Sequence, residues 1–161
     1  MSRTLAIAAA QYPLDELPSL AAYRDKITRW VEQAVTKGAQ LLVFPEYGAM
    51  ELSAIHGRGR DLMQSLSAVA ELEHEIVDVH QALARKHGVA IVAGSSPQRR
   101  GGSTCNVAHI FGPKGAHDSY AKIMPTPWER GPWQISGGRT LKVFDIGIAK
   151  VGLVICYDIE F

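Results

Sequence analysis

Three side chains in this sequence stand where a predicted strand gives way to a loop: the carboxyl of Glu46, the amine of Lys122 and the thiol of Cys156. Cys156 closes the apolar run Val151, Leu153, Val154, Ile155 and is followed by Tyr157 and Asp158. That run is β-branched and too short for a buried helix, so it predicts an interior strand ending at the thiol. A thiol attacks as its thiolate and needs a base or cation beside it. In open sheets the ends of strands feed the loops that build sites. The competing reading of Cys156 is a small buried hydrophobe, the commonest use of a free cysteine. Read singly, Glu46 also fits a helix cap and Lys122 a solvated strand residue.

The elements that must position these groups follow from periodicity. Thr4 to Ala10 predicts a first buried strand. Leu20, Tyr23, Ile27, Trp30, Val31 and Ala34 keep a helical stripe that stops at Gly38. Leu41-Leu42-Val43-Phe44 predicts a second buried strand, broken by Pro45 just before Glu46. Asp61 with Gln64 resembles a capping box, and Leu62, Leu66, Val69, Ile76, Val79 and Leu83 predict one long helix to Gly88. Val89 to Gly94 predicts a third strand. Strands separated by helical crossovers argue for an α/β layer with parallel pairing. Beyond Gly94 the texture becomes β: Gly101-Gly102 heads a hairpin over 104–111, Gly112 to Gly115 turns it, and 118–123 pairs back. Leu141 to Ile146 and Lys150 to Ile155 predict two further strands joined at Gly147. Between them, three prolines and a glycine in the stretch from Lys122 to Trp133 predict a long loop without regular structure, carrying Trp128, Glu129, Arg130 and Trp133.

Composition narrows the function. The 161 residues are 47% hydrophobic, enough for one domain with a core. Lys plus Arg number 17 against 16 Asp plus Glu, so nothing calls for nucleic acid or an anionic membrane. Two cysteines without paired spacing, no signal-peptide pattern and no apolar run of spanning length predict a cytoplasmic setting. Cys105, inside a predicted strand, reads as core. His74 and His80 lack metal-ligand spacing and His56 sits in a Gly/Arg-rich loop, so no metal and no cofactor are expected.

Phe44-Pro45-Glu46, Tyr120-Ala121-Lys122-Ile123 and Gly152-Leu153-Val154-Ile155-Cys156-Tyr157-Asp158 together resemble, in order, the three signature blocks of the nitrilase superfamily, the carbon-nitrogen hydrolases. The first strand ending at Gln11, the hairpin at Asn106 and the Phe144-Asp145 strand resemble that family too. The resemblance implies an α/β fold, a four-layer α-β-β-α sandwich of which this chain carries the N-terminal part. It implies catalytic Glu46, Lys122 and Cys156, with Glu129 bracing Lys122 and the substrate. In that scheme Glu46 takes the thiol proton and returns it to the leaving amine. Lys122 and the Tyr157 N–H face the oxyanion.

Nitrilases proper tend to follow the cysteine with Trp-Glu, whereas Tyr157-Asp158 is similar to the amidase and carbamoylase branches. Amide hydrolysis is therefore expected, with nitrile hydrolysis, acyl transfer to an amine or a non-catalytic scaffold as the alternatives. Glu160 stands where those branches commonly have arginine. The expected partners are a small-molecule amide and further copies of the chain in a homo-oligomer. Family members continue past the cysteine block, so residues 1–161 are expected to be a truncated domain, aggregated, oligomeric or partly unfolded and inactive alone, because its sheet would lack an edge partner and a cover.

Overall fold

The computed structural model describes residues 4–57 and 61–161, and the backbone alone of His56. Strands β1 (Ile7–Ala9), β2 (Leu41–Val43) and β3 (Ala90–Arg100) pair in parallel, with Ile7, Leu41 and Ala90 in one row. The crossovers carry helix α1 (Leu20–Thr36) and the pair α2 (Leu62–Glu71) and α3 (Glu73–His87). After a turn at Gly101-Gly102 the chain returns as β4 (Ser103–Phe111), antiparallel to β3, and then β5 (His117–Ala121), antiparallel to β4. The change from parallel to antiparallel falls where the sequence changes texture, because short glycine turns leave no room for a crossover helix.

Local chemistry explains the helix ends. Ser19 Oγ accepts the Ala22 N–H at 3.2 Å to start α1, and Gly38, at φ +80°, ends it by donating to Val35 O at 2.8 Å. Asp61 accepts the Gln64 N–H at 2.8 Å, and Gly88 closes α3 in the left-handed region. The long helix predicted from 62 to 88 is in fact two. At Leu72 the backbone (φ −97°, ψ 15°) leaves the first helix and starts the second; Leu66, Ala68 and Val69 of α2 and Ile76, Val79 and Leu83 of α3 are all buried. Before α2, a 3-10 run covers Gly48–Gly57 and includes His56; the rest of its predicted Gly/Arg-rich loop, 58–60, lies outside the described residues.

Alternation along the strands sorts the sheet into two faces. Leu42, Ile91 and Phe111 meet Tyr23, Ile27, Val31, Ile76 and Leu83 of the helices. Leu41, Ala90, Val92, Ala108, Ile110 and Tyr120 face the opposite way, against Phe144, Ile146 and Ile155. Phe144 belongs to a ribbon, β7 (Val143–Asp145) with β8 (Lys150–Gly152), and Ile146 and Ile155 lie just beyond its two strands, so the layers run α, β, β as the expected sandwich requires. A two-residue strand, β6 (Ile135–Ser136), pairs in parallel with the start of β4.

Four strand readings need correction. The interior strand over Val151–Ile155 is not one: β8 stops at Gly152 and pairs, among the described residues, only with β7, leaving residues 153–155 extended but outside the ladder. Its partner is likewise three residues long, not six, although the Gly147 turn is present, with Gly147 N–H donating to Asp145 Oδ1 at 2.8 Å. The first strand is short and an edge, not a buried strand, because among the described residues only β2 pairs with it, and Ile7 is exposed. The third strand runs past Gly94 to Arg100, since a bulge between Val92 and Ser95 absorbs the glycine without ending the ladder. The loop predicted from 122 to 133 also contains regular structure: α4 (Pro127–Arg130), a single helical turn with proline at its start, where no N–H is missed.

Candidate active site

The ends of β2 and β5, the bulged part of β3 and the first half of β4 meet at one edge of the sheet. Beyond β2, Phe44 N–H donates to Val92 O at 2.9 Å and Pro45 turns the chain so that Glu46 points across the sheet end. Gly94 makes this approach possible. It sits at φ +79°, and a Cβ there would lie 2.4 Å from Pro45 O. Ser95 Oγ accepts the N–H of Tyr47 at 3.0 Å, holding that residue in the left-handed region at φ +57°. Lys122 follows β5, with its N–H on Asn106 O at 2.9 Å and its carbonyl accepting from Gly138 at 2.7 Å. Glu129 is placed by a full capping box: its N–H donates to Thr126 Oγ1 at 3.1 Å, and its Oε2 accepts the Thr126 N–H at 2.8 Å.

These supports converge on one buried ammonium. Lys122 Nζ lies 2.7 Å from Glu46 Oε1 and 2.8 Å from Glu129 Oε2, with only 1% of its side chain exposed. Asn106 Nδ2 bridges the same two carboxylates, at 2.9 Å from Glu46 Oε1 and 3.1 Å from Glu129 Oε1. Its amide orientation is dictated by charge, because the flipped form would aim Oδ1 at two carboxylates. Tyr47 OH donates to Glu129 Oε1 at 2.7 Å, and its ring meets Trp133 edge-on. Burial works against the Lys122 charge, but the bonds to Glu129 and Glu46 more than offset it and hold the amine above its ordinary range. Burial likewise pushes Glu129 up, and the bonds from Lys122, Tyr47, Thr126 and Asn106 pull it below the usual carboxylate range. The group is therefore a fixed cation between two carboxylates.

Cys156 completes the constellation. It occupies a tight turn at φ +46°, closed by Asp158 N–H donating to Ile155 O at 3.1 Å, and its residue is exposed where the other groups are covered. Desolvation, then the nearby Glu46 carboxylate, push its thiol upward, against the pull of Lys122 and of the Tyr157 N–H. Cys156 is thus held toward its protonated form, beside the Glu46 carboxylate. Beside it opens a cleft of 270 Å³ whose walls include Val43, Val92, Ala108 and Leu153.

All four side chains singled out from the sequence, Glu46, Lys122, Glu129 and Cys156, meet here, together with the backbone of Tyr157. Cys105 is buried away from them, and His80 is packed among Tyr23, Phe44 and Phe111. Glu160 is exposed. Sequence reasoning missed Asn106, Tyr47 and Thr126 as parts of the site. For Thr126 a signal existed: Thr-Pro-Trp-Glu carries the S/T-x-x-E pattern with proline at the first helical position. Asn106 and Tyr47 leave no comparable trace.

Comparison with known proteins agrees with this architecture. The carbon-nitrogen hydrolase family model matches residues 6–161, and the chain belongs to that family, within the nitrilase superfamily. It is 30% identical over 156 residues to the probable hydrolase YhcX of Bacillus subtilis, covering 96% of this chain and 30% of that protein. A nitrilase of Bradyrhizobium diazoefficiens is 28% identical over 167 residues, covering 96% of this chain and 51% of the relative. The chain thus spans about half or less of these two curated relatives. Among solved structures, a mutant amidase from Nesterenkonia sp. AN1, in which acrylamide has added to the active-site cysteine, superposes with a TM-score of 0.73 at 25% identity. That match covers 98% of this chain and 59% of the amidase.

Proposed function

We propose that the complete protein is an amidase that opens a non-peptide carbon-nitrogen bond through a thioester on Cys156. The observation that carries this reading is the shared carboxylate: Glu46 bonds the Lys122 ammonium at 2.7 Å and lines the same cleft as Cys156, whose thiol its charge pushes upward. As the sulfur attacks the amide carbonyl, its proton passes to Glu46 and the carbonyl π pair moves onto oxygen. The oxyanion is met by the Lys122 ammonium and the Tyr157 N–H, fixed donors that need no reorganisation. Collapse of the tetrahedral adduct expels the amine, which takes the proton from Glu46. Water then loses a proton to Glu46, attacks the thioester, and the acid departs as the thiol is restored. Lys122 cannot be the base, because its two carboxylates keep it charged. Glu129 holds that charge in place and does not touch the reacting carbon.

Amides are preferred over nitriles because Tyr157-Asp158 follows the cysteine where nitrilases tend to have Trp-Glu. Nitrile hydrolysis is the second reading, supported by the curated relatives that are nitrilases. Both are tested together. Short aliphatic amides and the matching nitriles are offered to the full-length protein, and the acyl-enzyme is trapped by acid quench for peptide mass analysis. An acyl mass on Cys156 and ammonia release from the amide, both absent in Cys156→Ala, is the expected result. Mass on Cys105 alone would refute the nucleophile, and turnover of nitriles in preference to amides would select the second reading.

A further inference from the structure

Asp158 has no part in the chemistry just described, yet it is as fully engaged as Glu129, with four donors on its two oxygens. It is buried, and both oxygens accept hydrogen bonds. Oδ1 takes the backbone N–H groups of Ile123 at 3.1 Å and Met124 at 2.7 Å. Oδ2 takes Tyr120 OH at 2.9 Å and the Ile155 N–H at 2.9 Å. Three of these donors flank Lys122 on its own segment, and the fourth immediately precedes Cys156. The two halves of the site lie 34 residues apart in the chain, and residues 153–155 join no sheet ladder that could fix their register. One side chain performs that task. It also latches the turn that holds Cys156 in its left-handed conformation, since Ile155 N–H meets Oδ2 while Asp158 N–H meets Ile155 O.

We propose that Asp158 is a positioning residue that sets the Cys156 thiol against Glu46 and Lys122 by clamping the cysteine turn to the end of β5. The inference rests on the reading of Cys156 as nucleophile and Glu46 as its base. Only a group that accepts at both ends fits. Asparagine has the same shape, but in either orientation its amide N–H groups confront a backbone N–H, those of Ile123 and Met124 on one side or that of Ile155 on the other. The turn would then be freed from the lysine segment, and misplacement by about an ångström is enough to cost on the order of a hundredfold in rate.

The test compares wild type, Asp158→Asn, Tyr120→Phe and Glu46→Gln. Two measurements are made on each: the pH profile of Cys156 alkylation by iodoacetamide, resolved from Cys105 by peptide mass, and kcat and KM for an amide substrate. Alkylation reads the thiol whether or not turnover is seen. In wild type the alkylation midpoint should lie above that of an ordinary cysteine, first because of desolvation and then because of Glu46, and Glu46→Gln should lower it part of the way. Asp158→Asn should lower it as well and reduce kcat by about tenfold to a hundredfold with KM little changed. Tyr120→Phe, which removes one donor and keeps the aromatic packing, should move both in the same direction by less, and it decides the matter if Asp158→Asn does not fold. A wild-type midpoint and kcat in the folded Asp158 variant, or in Tyr120→Phe when that variant alone folds, would overturn the clamp while leaving the nucleophile assignment standing. If instead Glu46→Gln leaves the midpoint where it was, the thiol–carboxylate reading itself fails, and the clamp with it.

Discussion

Two buried lysines in this molecule are built almost alike and are equipped for different ends. Lys26, on α1, lies 2.6 Å from Glu51 Oε2 and 2.7 Å from Asp15 Oδ2; Lys122 lies 2.7 Å from Glu46 and 2.8 Å from Glu129. Each has a tyrosine hydroxyl on one of its carboxylates, Tyr12 on Glu51 and Tyr47 on Glu129. The difference is in the third ammonium hydrogen. At Lys26 it goes to Pro13 O at 2.6 Å, while the amine also sits 4.1 Å from the centre of the Tyr12 ring, so the cation is saturated and ties the loop before α1 to the 3-10 run behind it. At Lys122 the two carboxylates are the only acceptors among the described residues, and in the proposed reaction the remaining donor meets the substrate oxygen. A buried lysine becomes available for chemistry through the bond it does not make.

Substituting each lysine breaks this likeness most sharply. Lys122→Met should lower kcat by roughly 100- to 1000-fold, about 3 to 4 kcal/mol of barrier, in addition to a stability loss from two carboxylates left without their cation. Lys26→Met should show only the second effect, about 3 to 5 kcal/mol by denaturant unfolding, with kcat per folded molecule within about twofold of wild type. Equal losses of kcat in the two variants would mean that the saturated cluster also supports the reaction.

Acid distinguishes the charged site from the buried imidazoles. His80 donates through Nδ1 to Ile76 O at 2.7 Å and presents a bare Nε2 to aromatic rings; burial pulls its pKa down to about 4. His109, between Gln98 and His117, is pulled to about 4 first by burial and then by the neighbouring His117. For a base with a depressed folded pKa, the stabilisation is complete above its unfolded value, near 6.5, and disappears as pH falls toward 4. Each unit of separation is worth about 1.4 kcal/mol per group. The depressed Glu129 carboxylate loses its contribution only as pH falls below about 4.5, and the raised Lys122 amine loses its own above about 10.5. Melting temperature should therefore begin to drop near pH 6.5, and His80→Phe should flatten part of that slope. A flat profile from 6.5 to 4.5 would show that these imidazoles are not held neutral.

The smallest expected effect tests Tyr47, the counterpart at Lys122 of Tyr12 at Lys26. Tyr47→Phe removes one bond to Glu129 and should cost about 1.5 kcal/mol, seen as a decrease in kcat of roughly tenfold with the fold retained. No change would place Tyr47 with Trp133 as packing alone.

How legible this was in the sequence depends on what kind of signal each residue carries. Glu46 and Lys122 stand immediately beyond strands, and strand ends are visible as apolar runs meeting proline or charge. The alternation of parallel and antiparallel connections was visible for the same reason. The Leu72 break was not, since no glycine or proline marks it and the apolar stripe continues across it. Residues 153–155 misled in the opposite direction: their composition is that of a strand, but a ladder needs a neighbour, and composition does not supply one. Asn106 sits in mid-strand, where a polar residue carries no local mark of the two carboxylates that reach it from 60 and 23 residues away. Asp158 was read as a feature distinguishing substrate branches, and its four donors emerge only in three dimensions.

The dispersion of the site along the chain also bears on how the molecule comes to be folded. Lys122 meets Glu46 across 76 residues, and Tyr47 meets Glu129 across 82. Neither contact can form until β2, β3, β4 and β5 are in register, and closing such long loops is slow. An ammonium that enters the interior with one carboxylate and not the other is poorly compensated, so the three charges should be desolvated together as a late, concerted step. Replacing Glu46, Lys122 and Glu129 simultaneously with Gln, Met and Gln should accordingly give a protein that refolds faster than the wild type and has no activity.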